Sequence, residues 1–354
     1  MKKITALLAV LALVCGCLAG CGNASGGADD GKLDIVVTIF PVYDWVMNVV
    51  GDAENVNVTL LIDDGTDMHS YKPSADDLIT IAASDVFIYV GGESDTWADD
   101  AVRQAVRDVN KDIVVMNLMK IMGDMVKEEE VVEGMQEEDE HDHHHDDDED
   151  EDEDEHHHDD DEDEDEHHHD EDEEIEYDEH IWLSLRNAAF VVEQISRVLQ
   201  QKDSANAPVY SANAVSYLET LQALDDSYSE AVSEASGNTI LVGDRFPFRY
   251  LTDDYRIGYY AAFVGCSAES EASFETVTFL AGKVDELNLK SVLTIDGSDG
   301  RIAETIIQNT ESHDQQILTL DSMQSVTAEE IGSGVTYLSV MESNLEVLKE
   351  ALSY

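Results

Sequence analysis

Between Glu128 and Glu179 lie 35 Asp and Glu residues and not one Lys or Arg. Within that stretch the segment from His141 to His169, HDHHHDDDEDEDEDEHHHDDDEDEDEHHH, has no aliphatic or aromatic residue. A segment with nothing apolar to bury cannot offset the entropy of ordering it. It reads as a disordered, strongly anionic loop, so any fold must be assembled from the chain on either side. Its ten histidines, His141, His143, His144, His145, His156, His157, His158, His167, His168 and His169, come in clusters between carboxylates. Imidazole is the commonest protein ligand for zinc, and carboxylate is a harder, weaker one. The tract therefore reads as a set of auxiliary low-affinity metal sites, with a plain solvated spacer as the alternative.

The formal net charge of −61 is concentrated in this segment, and the remainder is a moderately acidic protein. Nucleic acid is not expected as a partner, because phosphate binding needs clustered Lys and Arg. The amino terminus, MKKITALLAVLALVCGCLAGC, has two lysines, a short apolar stretch and small residues, the pattern of a secretory signal. Its ending, Leu18-Ala19-Gly20-Cys21, resembles a bacterial lipobox. That resemblance implies a signal peptide over residues 1–20, lipid on the Cys21 thiol and a flexible tether over 21–32, with Cys17 the weaker alternative. The expected location is extracytoplasmic, lipid-anchored to the bacterial cell membrane. Only Cys21 and Cys266 survive such processing, which leaves no internal disulfide. Cys266, in VGCSAES, reads as a small buried residue rather than a reactive thiol.

The apolar pattern alternates between strand and helix. LDIVV, NVNVTLLI, VFIYVG and DIVVMNL read as strands separated by helical segments. After the tract, Val215, Leu218, Leu221, Leu224, Tyr228 and Val232 recur at spacings of three and four with no internal Gly or Pro, which predicts one long amphipathic helix. Beyond Gly237 the alternation restarts with TILVGD, IGYYAAF, SVLTID and QILTLD and closes on a final helix. Strands alternating with helices imply parallel βαβ units whose ligand sites gather at the carboxyl ends of the strands. The expected fold is α/β: two βα lobes with parallel sheets, at 33–204 (containing the loop 128–179) and 237–354, joined by a helix at 205–236.

The order of DMHSYKPSADDL, a His-rich acidic insertion, DEHIWLSLRNA, NAPVYSANAVSYLETLQALDDSY and a second α/β lobe resembles the zinc and manganese solute-binding proteins of bacterial ABC transporters. The resemblance covers nearly all of the chain after the tether. It implies two pseudo-symmetric lobes bridged by a rigid helix, with one metal in the cleft between them. Carried over position by position, His69 and His180 match the two histidines of the first lobe, and Trp182 packs the cleft wall. Many zinc-specific members have a third histidine at the start of the second lobe. Here the stretch is VGDRFPFRYLTDDY, in which Asp244 is the plausible donor because Arg245 stays protonated. LTLDSM resembles the stretch that supplies a carboxylate in some members and points to Asp321, with Asp296 as the alternative fourth ligand.

Two imidazoles and two carboxylates suit Zn²⁺ or Mn²⁺, and the imidazole-rich tract tips the choice to Zn²⁺. The expected function is the zinc-binding component of a metal-uptake ABC transporter, a monomer that delivers Zn²⁺ to a permease with its ATPase. The alternatives are a manganese-specific binding protein and a surface metal-storage or adhesin lipoprotein. An enzyme is not expected: a metallohydrolase would need an activated water and a general base, and the HExxH signature is missing. Cys21→Ser should release the protein to the soluble fraction or leave its precursor unprocessed, as cell fractionation would show. Normal processing and membrane retention would rule the lipid anchor out.

Overall fold

The computed structural model describes residues 31–109, 112–136, 176–267 and 271–353. Cys21 and the ten tract histidines fall outside them. In the first lobe, β1 (Leu33–Val37), β2 (Val56–Leu60), β3 (Val86–Tyr89) and β4 (Val114–Asn117) form a parallel sheet in the order β2-β1-β3-β4. Every residue of β3 is buried, as expected of a parallel strand covered on both faces. Four helices connect or follow the strands: α1 (Phe40–Val50), α2 (Ala75–Ala83), α3 (Thr96–Val109) and the short α4 (Leu118–Met122). Local chemistry sets their starts. Pro41 lies in the first turn of α1, and Ser74 with Asp77 closes a capping box on α2.

Beyond the tract come α5 (Leu185–Lys202) and the 28-residue α6 (Ala207–Glu234), about 42 Å long at 1.5 Å per residue. The second sheet contains β5 (Thr239–Phe246), β6 (Gly258–Val264), β7 (Ser291–Ile295) and β8 (Gln316–Leu320) in the order β6-β5-β7-β8. Its strands are parallel and repeat the connectivity of the first sheet. Its helices are α7 (Arg249–Tyr255), α8 (Phe274–Leu287), α9 (Arg301–Gln308), α10 (Ala328–Ser333) and α11 (Tyr337–Ala351). The expected single final helix is thus two. Gly334, at φ 102°, ends α10 in the left-handed region that favours glycine, and Thr336 caps α11.

Helix α6 packs on α1 and α5 of the first lobe and on α7 and α11 of the second. The three-and-four spacing holds, and Leu221, Leu224 and Tyr228 face the core as expected with Leu218 and Val232 partly buried beside them. Tyr210, Ala214, Tyr217, Leu221, Leu224 and Tyr228 are buried, whereas Val215 is 56% exposed. Tyrosine can fill such a face if its hydroxyl finds a partner. Tyr210 donates to Asp203 at 2.8 Å, Tyr217 to Asp44 at 3.2 Å and Tyr228 to the Met341 carbonyl at 2.6 Å. One hydrophobic core runs through both lobes, with Trp45 of α1 edge-on to Tyr337 of α11 at 5.2 Å between ring centroids.

Asp44 is the buried charge at the junction of α1 and α6. Burial raises its pKa from 3.8 to about 6 despite the Tyr217 hydrogen bond. The folded chain therefore keeps a proton that the unfolded chain gives up first. Asp44 thus favours the fold most below about pH 4, and that advantage is lost as pH rises to about 6. Asp44→Asn keeps an acceptor for Tyr217 and should remove the loss, on the order of 2–3 kcal/mol. Urea unfolding should show the variant more stable at pH 7 and the difference shrinking towards pH 4. A variant less stable than the parent at pH 7 would contradict this account of Asp44.

Candidate metal centre

His69 sits in the 3-10 turn Met68–Ser70, whose Asp67 cap accepts the His69 N–H at 3.0 Å. Its Nδ1 lies 2.7 Å from Ser94 Oγ and 3.7 Å from Glu179 Oε2. His180 is fully buried immediately before the turn Ile181–Leu183. Asp178 Oδ1 accepts the His180 backbone N–H at 2.8 Å and lies 3.1 Å from Nδ1. An ionised carboxylate only accepts, so the proton of His180 belongs on Nδ1 and the lone pair on Nε2 points into the cleft. Trp182 packs edge-on against this ring, centroids 5.2 Å apart, and its indole donates to the Ser322 carbonyl of the second lobe at 2.8 Å. On the other side stands Gly265, where a Cβ would meet His180 Cε1 at 3.0 Å and the Phe246 carbonyl at 2.9 Å.

The two Nε2 atoms are 3.1 Å apart. Two nitrogens on one tetrahedral zinc, at 2.0–2.1 Å each, would stand about 3.3 Å apart. A shared proton is a poor substitute for the metal, because burial first and the facing His180 second push His69 down to about 3. The Gln324 side-chain nitrogen, 2.9 Å from His180 Nε2, supplies a neutral donor to the same lone pair. Among the described residues, Cys266 joins this pair so that one donor atom from each of the three lies within 4.8 Å of the others. A cavity of about 260 Å³ opens here, lined by His69, Cys266, Ser94, Glu93, Glu129 and Glu179. Glu179 is 2% exposed; its Oε1 accepts the Ser94 N–H at 2.9 Å, and its Oε2 is buried with no hydrogen-bond partner. Burial raises the pKa of both Glu129 and Glu179. Converging lone pairs, an unpaired carboxylate oxygen and acidic walls fit a divalent cation.

Residues 35–351 match the family described as zinc-uptake complex component A, periplasmic (ZnuA). The chain belongs to this family. It is 33% identical over 352 residues to the zinc-binding lipoprotein AdcA of Streptococcus pneumoniae (serotype 4), covering 99% of this chain and 61% of AdcA. It is 26% identical over 339 residues to the high-affinity zinc uptake system protein ZnuA of Bacillus subtilis, covering 95% and 93%. The crystal structure of the Zn(II)-bound ZnuA-like domain of S. pneumoniae AdcA superposes with a TM-score of 0.66 at 27% identity, covering 92% of this chain and all of that domain. The chain therefore spans about three-fifths of the AdcA length.

In this ZnuA-family chain the carboxylates expected to complete the shell are engaged elsewhere. A register shift in β5 between Val242 and Arg245 turns Asp244 towards β7. There its Oδ2 accepts from Thr294 at 3.0 Å and from Ser298. Its neighbour Arg245 reaches across to Asp67 at 2.9 Å. Asp321 caps its own turn, Oδ1 accepting the Met323 N–H at 2.8 Å, and burial followed by Asp296 raises it to about 6. Asp296 accepts the Ser322 N–H and hydroxyl, each at 2.6 Å, and the Ser325 hydroxyl at 3.1 Å. None of the three joins the histidine pair. Gln324 and Cys266 do approach it. The signal that could have found Cys266 is its position just past the carboxyl end of β6, where parallel sheets gather ligands.

The acidic tract also has narrower limits than its composition suggests. Residues 128–136 and 176–179, expected within the disordered loop, are packed. Glu128 bridges Tyr177, the Glu129 N–H donates to the Glu176 carbonyl at 2.9 Å, and Asp178 N–H donates to the Lys127 carbonyl at 2.9 Å. Gln136 N–H reaches the Ala262 carbonyl of β6, and Met135 is buried. The backbone pairs where the tract leaves and returns, which charge counting does not register. If Asp178 holds the His180 ring, Asp178→Asn should weaken zinc binding roughly 10–100-fold in chelator competition. Unchanged affinity would show that the ring needs no such partner.

Proposed function

We propose that this chain is the extracytoplasmic zinc receptor of an ABC uptake system, lipid-anchored, acting as a monomer that passes Zn²⁺ to a permease driven by its ATPase. The observation that carries the reading is the pair of Nε2 atoms brought to 3.1 Å, with His69 lining an acid-walled cavity. His69 and His180 hold the ion as cargo. The names of the AdcA and ZnuA relatives, a zinc-binding lipoprotein and a high-affinity zinc uptake protein, support the same reading.

The tract acts in this scheme as a low-affinity collector. Glu129, Glu176 and Tyr177, beside its two ends, line the cavity that holds His69. Any ion bound between residues 137 and 175 is thus covalently tethered to the mouth of the cleft, at a raised effective concentration. The packed residues fix what to remove. Deleting 137–175 while keeping 128–136 and 176–179 should leave one tight zinc equivalent and abolish the weaker ones, as measured by calorimetry with chelator competition. His69→Ala combined with His180→Ala should do the reverse. Survival of the tight equivalent in that double variant would overturn the assignment.

A further inference from the structure

Cys266 is a free cysteine in the turn that follows β6. We infer that it is the third donor of the cleft, its thiolate coordinating the same Zn²⁺ as Nε2 of His69 and Nε2 of His180. The inference rests on the reading that the cleft takes zinc.

Three independent features support it. One ring nitrogen of each histidine and the Cys266 sulfur lie within 4.8 Å of one another, and a nitrogen and a sulfur on one tetrahedral zinc would be about 3.6 Å apart. The preceding residue is a glycine at the one place where a side chain would strike the imidazole: a Cβ on Gly265 would lie 3.1 Å from His180 Nδ1. The backbone is thereby brought against the ring, and the Cys266 N–H is fixed by Glu129 Oε1 at 3.1 Å. Finally, Glu179 presents an unpartnered, buried Oε2 to the same cavity, a cost that a nearby cation relieves.

Without metal, burial foremost and then Glu129, Glu179 and Asp178 hold the Cys266 thiol protonated. A zinc ion is the larger local charge and inverts that balance. On binding, the S–H bond breaks, the Zn–S bond forms and the proton passes to solvent, with no change of oxidation state. The chemical consequence is selectivity. A thiolate is a soft donor that favours zinc, whereas the expected pair of carboxylates would have served manganese equally well.

The test uses the full chain loaded with one equivalent of Co²⁺ as a spectroscopic stand-in. A thiolate-to-cobalt charge-transfer band in the near ultraviolet is expected, absent from Cys266→Ser and retained when residues 137–175 are removed. Cys266→Ser should also raise the zinc dissociation constant roughly 100-fold or more while changing manganese affinity little. A parent protein without the band, or Cys266→Ser with parental zinc affinity, overturns the cysteine assignment. The zinc reading itself fails on a different result, namely that the parent holds no tight zinc or that His180→Ala retains it. The parent spectrum decides the question even if a variant is poorly folded.

Discussion

Asp178 to Ser184 is buried without a break, and four of its seven side chains are polar or charged. Each buried polar group left without a partner would cost about 1–3 kcal/mol. Apart from Glu179 Oε2, the rest of the molecule supplies those partners. Lys127 and Tyr250 bond the Asp178 backbone, Ser94 bonds Glu179, Tyr337 donates to the Trp182 carbonyl and Ser184 donates to Asp254. These residues come from both lobes, so satisfying one heptapeptide also sets the two lobes in register. The metal centre is a by-product of the same demand, since His180 cannot be buried there unless Asp178 and Gln324 meet its two nitrogens.

The lobes are held together chiefly by shared packing rather than by charge. Arg245 and Asp67 span the cleft, but both are about a fifth exposed, and partly solvated pairs contribute little. The continuous core beneath them contains Trp45, Trp182, Tyr228 and Tyr337, each fully or almost fully buried. Burying one such side chain stabilises by about 1.5–3 kcal/mol, and several lie along α6 and α11 where both lobes meet. A wide hinge would have to expose them. Metal exchange by small movements at the cavity mouth is the cheaper route, and the acid-lined cavity beside His69 already provides the opening.

How much of this could be seen in the sequence depended on whether the signal was periodic or local. The two parallel sheets and the long helix were legible because alternation and three-and-four spacing survive without tertiary context. The place of Tyr210 and Tyr217 on the buried face of α6 was not, because they bury only where Asp203 and Asp44 accept their hydroxyls. His69 and His180 were singled out through the family resemblance, and the fold brings their rings together. Asp244 lies in the irregular stretch of β5, where it lines a cavity with Asp67 and Asp296 and bonds Thr294 and Ser298, contacts that no local pattern announces. Asp321 and Asp296 sit at strand ends as expected, where Asp296 accepts from Ser322 and Ser325 and Asp321 Oδ1 accepts the Met323 N–H. The tract limits failed for a related reason. Composition describes side chains, and the ends of the tract are ordered through the backbone.

The donor types then form an order from outside to inside. The tract offers carboxylates and imidazoles, and the cavity sets Glu93, Glu129 and Glu179 beside His69 and the Cys266 thiol, with His180 wholly buried. Softness increases along that path, and so does preference for zinc over harder divalent ions. An anionic exterior attracts all divalent cations alike, because Coulomb attraction at long range reads only charge. Discrimination has to come where the ion is stripped of water and meets specific atoms. His180 is wholly buried, and Gly265 brings the backbone close against its ring. On the proposed reading, collection and selection fall to different residues, which lets the outer donors be numerous and weak while few inner side chains discriminate.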